Sequence, residues 1–480
     1  MTPTPPDAQQ LAATAATQAS TEAQASTDAL TARHKLILIV LLAAGFMGSV
    51  DFSVLNVALP LAGDGVGMAT RDLPWIQSAI ALPIAGFTLL FGRLGDLFGR
   101  RRMFLLGSAL LAAGSVLGGV AIDSTMLLAG RVIQGFGAAF VGPSAMSLLT
   151  TTFPEGRMRA RVLGLNGALL SCGFSVGALV GGTLVTAIGW RGAFWINVPV
   201  IALILILTPF VVPESRRPDR TRIDLPGAVT VTLGLVGVVY AVIEASVLAA
   251  IVGVLLLGAF WLIESRAADP LVPLRILRLP TVKWGNVAGF TTFLIEPAVI
   301  FLITLYLEQH LGLSPLAVGL VLGIPGLVSV GVGPVAGRVI GRHGPSRVLA
   351  VGLAVQGAAL APLVFLHDGA SSLFLLVPFL VLGFLGHVTA IVGFNVTATS
   401  GLPNTEQGLA TGLTSMTGTV ASTIGIPALA ALAAALPGLD GLRLTLGIAA
   451  VFTVASAALV GRFLADRRRV AAARPRCRRR

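Results

Sequence analysis

The chain has 480 residues, of which 55% are hydrophobic and 11% charged. A soluble globular domain carries roughly 25% charged residues, so this composition excludes an ordinary water-facing surface and points to a polytopic membrane protein. The net charge of +12 does not indicate nucleic-acid binding, because the basic residues lie in short segments between apolar runs and in the C-terminal tail, where they act as topology signals.

Residues 1–35 are rich in Ala, Thr, Ser and Gln and are expected to form a disordered cytoplasmic tail. They lack the positive stretch and short apolar run of a cleaved signal peptide. Fourteen apolar runs follow, each near the ~20 residues that cross a bilayer: 36–60, 73–92, 103–121, 126–151, 162–186, 193–212, 225–244, 247–265, 284–306, 315–338, 347–366, 372–398, 407–435 and 443–464. In lipid each must be helical, since its backbone groups find no water there. Alternate loops carry the arginine clusters: Arg93 with Arg100–Arg102, then Arg157/Arg159/Arg161, Arg216/Arg217/Arg220/Arg222, Arg275/Arg278/Lys283 and Arg338/Arg342/Arg347. The opposite loops carry mainly Arg71, Arg191 and Arg443. An even number of spans then places both termini in the cytoplasm. The basic tail, 465–480, is expected to contact anionic lipid headgroups.

The chain repeats internally. The segment Gly337–Arg347 echoes residues 92–102, Gly383-Phe384-Leu385-Gly386 echoes Gly135-Phe136-Gly137, and Leu402-Pro403 echoes Phe153-Pro154. Two related six-span bundles are therefore expected, 36–212 and 284–464, with loops and an inserted hairpin of spans 7 and 8 in 213–283. Paired bundles with a site between them are a transporter plan. The second copy is degenerate: Gly341 stands where Asp96 does, and an apolar position near Phe379 or Leu380 where Arg131 does.

Charged residues inside spans mark the candidate chemistry, because their burial in lipid is costly. Asp51 lies roughly 15 residues into span 1, about 22 Å from its cytoplasmic end. Arg131 in span 4 sits at a similar depth, so the two can pair. Gln134, one turn further, shares its face. The plain alternatives are a structural hydrogen bond near the outer interface for Asp51 and a purely structural ion pair for Arg131. Glu296, in the middle of span 9 and followed by Pro297, is a third candidate; the proline frees a backbone carbonyl at membrane depth. Glu244 reads as interfacial, His387 as a packed or hydrogen-bonding residue, and Trp75 and Trp190 as aromatic-belt residues at the outer interface. Cys172 and Cys477 offer neither a disulfide framework nor a metal spacing. With no nucleotide-binding motif and no nucleophile–base constellation, no enzyme activity and no cofactor is expected.

Several stretches carry a family resemblance. Residues Gly92–Met103 combine three glycines, Asp96 and four arginines between two apolar runs. Asp51-Phe52-Ser53-Val54-Leu55-Asn56-Val57-Ala58-Leu59-Pro60 ends span 1, and Gly130-Arg131-Val132-Ile133-Gln134-Gly135 opens span 4. Span 5 spaces Gly164, Gly173, Gly177, Gly181 and Gly182, and Trp190-Arg191 and Ile196-Asn197-Val198-Pro199 follow. Together these resemble the fourteen-span drug:proton antiporter family of the major facilitator superfamily. The resemblance implies an all-α integral membrane fold of two six-helix bundles plus a hairpin. It also implies proton-driven export of amphipathic drugs or antibiotics across the cell membrane by a monomer. It gives Arg131 a part in proton coupling, with Asp51, Gln134 and Asn56 as further cavity residues; Glu296 lies in no shared motif and is a cavity candidate on its depth in span 9 alone. It makes Gly92, Arg93, Gly95, Asp96, Gly99, Arg100 and Arg101 a conformational latch and the span 5 glycines packing positions. One departure stands out: Ala178 follows Gly177 where the family pattern has proline, so close packing is retained without the kink. Symport or exchange of a defined metabolite, and a non-transporting sensor or scaffold, are the alternatives. Degraded intramembrane charges would mark the last of these, and Asp51, Arg131 and Glu296 are all present.

Overall fold

The structure, a computed structural model, describes residues 31–153, 157–215, 225–266, 274–329, 331–400, 402 and 404–472. In chain order the helices are α1 (Ala32–Gly65), α2 (Pro74–Phe98), α3 (Arg100–Gly119), α4 (Ser124–Thr152), α5 (Arg157–Ile188) and α6 (Asn197–Val211). Then come α7 (Leu225–Ile243), α8 (Val247–Glu264) and α9 (Pro280–Leu305), which continues as a π-turn over Tyr306–His310. The last five are α10, built from Pro315–Ser329 and Val332–His343, then α11 (Pro345–Leu360), α12 (Ser372–Thr399), α13 (Asn404–Ala434) and α14 (Gly438–Ala472). Among the described residues ten helices are long and apolar enough to cross a membrane, and Cys172–Ile188, Pro226–Val242 and Pro315–Val328 are shorter apolar helices.

Local sequence explains where these helices begin and stop. The side chains of Thr31, Asp123 and Ser246 accept from the first-turn N–H groups of α1, α4 and α8. Pro74, Pro280 and Pro345 open α2, α9 and α11, where a missing N–H costs nothing. The turn expected over 92–102 is shorter than its sequence suggests: α2 continues to Phe98 and only Gly99, at φ +109°, breaks the helix before α3. Gly344, at φ +82°, does the same between α10 and α11. Left-handed backbone of this kind favours glycine. Span 10 is described as two helices, Pro315–Ser329 and Val332–His343, with Gly331 preceding the second.

The repeat seen in the sequence reappears in the packing. α1 lies against α5, α2 and α3 against α4, and α6 against α1 and α3; α9 lies against α13, α10 and α11 against α12, and α14 against α9 and α11. The hairpin α7–α8 packs through α7 on α2 and α13. Thr232 donates to the Gly86 carbonyl of α2, and Trp75 Nε1 donates to Glu244 Oε1 at 3.0 Å. α8 turns Val247, Leu248, Val254 and Leu255 outward, a surface that suits lipid and not water. The halves meet at the ends of the helices remote from Arg100–Arg102. There the largest apolar cluster joins Val54, Leu55 and Leu59 of α1 to Ile295, Phe301 and Ile303 of α9 and to Val318 and Leu322 of α10. Trp190 departs from the aromatic-belt expectation: only 7% exposed, it is packed in this cluster beside Phe194.

Candidate functional site

Two buried polar clusters interrupt the apolar interior, one in each half. The first is built on α1 and α4. Arg131 is fully buried and Asp51 8% exposed. Arg131 Nη1 donates to Asp51 Oδ2 at 2.8 Å and to Gln134 Oε1 at 2.9 Å; Nε donates to the Ile76 carbonyl at 3.1 Å and Nη2 to Gln77 Oε1 at 3.4 Å. Four of the five guanidinium hydrogens are thus used. Asn197 Nδ2, at the start of α6, donates to Asp51 Oδ1 at 2.5 Å, and Gln134 Nε2 reaches the same oxygen at 3.4 Å and Ser115 Oγ at 2.8 Å. Taking two charges out of water costs several kcal/mol per ion, and only close pairing with further hydrogen bonds offsets it. This network supplies both, from α1, α2, α3, α4 and α6.

The expected pairing of Asp51, Arg131 and Gln134 is therefore present. Asn56 is placed apart: its Nδ2 donates to Phe52 O of its own helix at 2.9 Å, and its buried Oδ1 has no partner among the described residues. Asn197, Gln77 and Ser115 escaped the reading of the sequence as members of the site. The available signal was a lone polar side chain inside, or at the end of, an apolar run.

The second cluster lies on α9, α11 and α12. Gln356 Nε2 is 3.2 Å from Glu296 Oε2, 3.4 Å from the Thr292 carbonyl and 3.4 Å from His387 Nδ1. Glu296 Oε2 and His387 Nδ1 are 3.9 Å apart. Rings surround it: Phe293 meets His387 edge-on at 5.9 Å, and Phe384 lies 6.0 Å from the imidazole. Phe384 in turn meets Phe174 of α5 at 5.5 Å, and Phe174 meets Phe52 of α1 at 6.4 Å. A line of aromatic rings thus connects the two halves and ends at the second polar cluster.

The span 5 glycines permit close helix contacts. A Cβ at Gly177 would stand 2.8 Å from Val50 O, and one at Gly181 2.8 Å from Val54 Cα, both on α1. At Gly173 it would stand 2.9 Å from Phe46 O, and at Gly182 2.7 Å from Pro315 O on α10. α10 answers with Gly319, where a Cβ would be 2.4 Å from the Ala178 carbonyl. The backbone at the departed proline position thus forms part of the seam between halves. The surroundings of Gly164 lie outside the described residues.

At the arginine-rich end, Glu214, following α6, binds the start of α3. Its Oε1 accepts from Arg101 N at 3.1 Å, and Oε2 lies 3.9 Å from Arg101 Nε and 3.8 Å from Arg102 Nε. Arg101 Nη1 also donates to the Pro209 and Val212 carbonyls, and Arg100 N to Ser215 O. Gly92 and Gly95 face Pro143 and Ser144 of α4. The side chains of Arg93 and Asp96 lie outside the described residues. Among the described residues no group of three or more His, Cys, Asp or Glu side chains could hold a metal ion.

Comparisons with known proteins agree with this architecture. The chain is 38% identical over 333 residues to the cephamycin export protein CmcT of Amycolatopsis lactamdurans, covering 67% of this chain and 68% of that protein. It is 34% identical over 403 residues to the puromycin resistance protein pur8 of Streptomyces alboniger, covering 81% and 80%. In fold it is similar to a POT family transporter whose crystal structure holds a thioalcohol conjugated peptide, with a TM-score of 0.70 at 15% identity over 89% of this chain and 96% of that one. The profile of the Major Facilitator Superfamily matches residues 41–426, and the chain belongs to that superfamily.

Proposed function

We propose that this protein exports small amphipathic drugs or antibiotics across the cell membrane, driven by the proton gradient, through alternating access between its two halves. The observation that carries the reading is a set of ionisable side chains kept inside apolar helices, Asp51 with Arg131 and Glu296 with His387, beside a seam closed at one end only by packing. Such groups are expensive in a membrane and mark ion or substrate paths. The aromatic line from Phe52 to Phe293 offers apolar faces for an amphipathic guest. The cephamycin export protein and the puromycin resistance protein named above are its relatives, and antibiotics of this kind are the substrate class proposed. One proton moving through 100 mV supplies about 2.3 kcal/mol, enough to sustain a useful outward gradient.

The domains follow the repeat: bundles 36–212 and 284–464, with 213–283 carrying the hairpin, fourteen spans in all and both termini in the cytoplasm. The segment Gly92–Arg101, the end of α2 and the start of α3 with Gly95, Asp96 and Gly99 among its residues, is the latch whose charge contacts differ between states. The glycines Gly164 to Gly182 let α5 slide closely on its neighbours. The basic tail holds anionic headgroups, and the transporter acts as a monomer.

The test is puromycin accumulation in cells with and without the chain. Expression is expected to lower accumulation, and an uncoupler is expected to abolish the difference. Equal accumulation across a panel of antibiotics, with uptake or exchange of a metabolite in its place, would overturn the export reading.

A further inference from the structure

Glu296 follows Asp51 by 245 positions, just as Gly337 follows Gly92 and the left-handed Gly344 follows Gly99. The two acids hold corresponding places on α1 and α9, whose packing partners also correspond. Their surroundings are opposite in kind. Asp51 is tied to a fully buried guanidinium and accepts from two amides. The pairing with Arg131 needs its carboxylate form.

Among the described residues Glu296 is paired with no lysine or arginine. Its hydrogen-bond donor is the single amide of Gln356, whose Nε2 also lies 3.4 Å from the Thr292 carbonyl and 3.4 Å from His387 Nδ1. A proton placed on the Glu296 carboxyl displaces no ion pair, whereas one on Asp51 Oδ2 would displace the Arg131 bond. Among the described residues, the charged side chains on the elements packed against α9 otherwise sit towards the helix ends. Lys283 opens α9, and Glu308 lies in its closing π-turn. Arg347 opens α11, Asp440 and Arg443 open α14, and Arg462 lies near the end of its described part. α1 offers only Asp51 at this depth. His387 of α12 is therefore the one titratable neighbour of Glu296 at mid-depth.

We propose that Glu296, with His387 and Gln356 as its positioning partners, is the proton-exchange site of the transporter, and that Asp51 is a permanent ion-pair anchor. The proposal rests on the proton-coupled reading above and divides its two candidate acids. Glu296 binds one proton from one side of the membrane as a neutral carboxyl and releases it to the other; Asp51 and Arg131 keep their charges throughout.

The experiment is pH-difference infrared spectroscopy of the full chain in lipid, following the C=O band of a protonated buried carboxyl. The wild type is expected to show such a band, appearing as pH falls. Glu296→Gln is expected to lose it and Asp51→Asn to keep it. Asp51→Glu, which preserves a carboxylate should Asp51→Asn fold poorly, is expected to leave its position unmoved. His387→Gln is expected to displace its pH midpoint, which a mere packing role would not do. A wild type without a titrating band, a band that survives Glu296→Gln, or one that vanishes in Asp51→Asn overturns the proposal. If the band behaves as expected yet no antibiotic is moved, the export reading fails and the proton site stands. If puromycin is exported without such a band, the reverse holds.

Discussion

Gly319→Ala probes the seam that alternating access must open. In the structure a Cβ at Gly319 would stand 2.4 Å from the Ala178 carbonyl, where ordinary contact begins at 3.4 Å. The obstacle is backbone, so no rotamer can clear it, and α5 and α10 must part by about 1 Å. Overpacking of this kind costs about 1–3 kcal/mol. The cost falls only on the state in which the two helices touch, so the equilibrium shifts about 5–150-fold toward the state in which they separate. The gain in helix propensity from Gly to Ala applies to both states and cancels. Spin labels at Thr186 and Gln309, on a background lacking Cys172 and Cys477, report the distance across the seam. The variant is expected to enrich the longer distance. Gly142→Ala, where nothing lies within 4 Å of the added Cβ, is expected not to. An unchanged distance distribution in Gly319→Ala would refute the seam as the moving contact.

Arg131→Met strands the Asp51 carboxylate and is expected to lower stability by about 3–5 kcal/mol in chemical unfolding of the detergent-solubilised protein; a loss below about 1 kcal/mol contradicts the buried pair. Asp96→Asn is expected to slow export strongly while leaving intrinsic drug affinity nearly unchanged once the population shift is corrected, as read from equilibrium binding beside vesicle transport. A variant whose only defect is lost binding would remove the latch reading. Cysteines placed at Pro218 and Asn404 are expected to label only from the cytoplasm and one at Asp440 only from outside. Labelling of 218 and 440 from one side would break the fourteen-span topology.

Much of this architecture could be read from the chain because lipid leaves it few choices. A run of twenty apolar residues must be a helix, and an echoed Gly-Arg segment must recur at the same place in a second bundle. Asp51, Arg131 and Gln134 were likewise visible, since charge at membrane depth demands a partner and helical spacing puts Gln134 beside Arg131. Their other partners were not visible. Gln77, Ser115 and Asn197 come from three further helices, and their approach is a property of packing that no local spacing encodes. Gln356 was missed for the same reason, and His387 was read as a packed or hydrogen-bonding residue without its partner being visible. Trp190 misled because aromatic residues near span ends serve two purposes, and here the ring fills space in the apolar cluster. The short turn at Gly99 was overestimated because arginines that read as loop residues continue to suit a helix wherever it emerges from lipid.

The hairpin α7–α8 touches both halves, but not in the same manner. Toward α2 it is held by directional bonds, Thr232 to the Gly86 carbonyl and Trp75 to Glu244. Toward α13 it shares an apolar cluster, Ala228 with Ala410 and Leu413. Hydrogen bonds fix a register, whereas methyl and methylene surfaces tolerate sliding because dispersion has little directional preference. The hairpin thus behaves as a plain bearing: a bushing seated in the first half, along which the second half's shaft can slip. Two added helices can in this way widen the protein in the membrane without stiffening the rocking of its twelve-helix core.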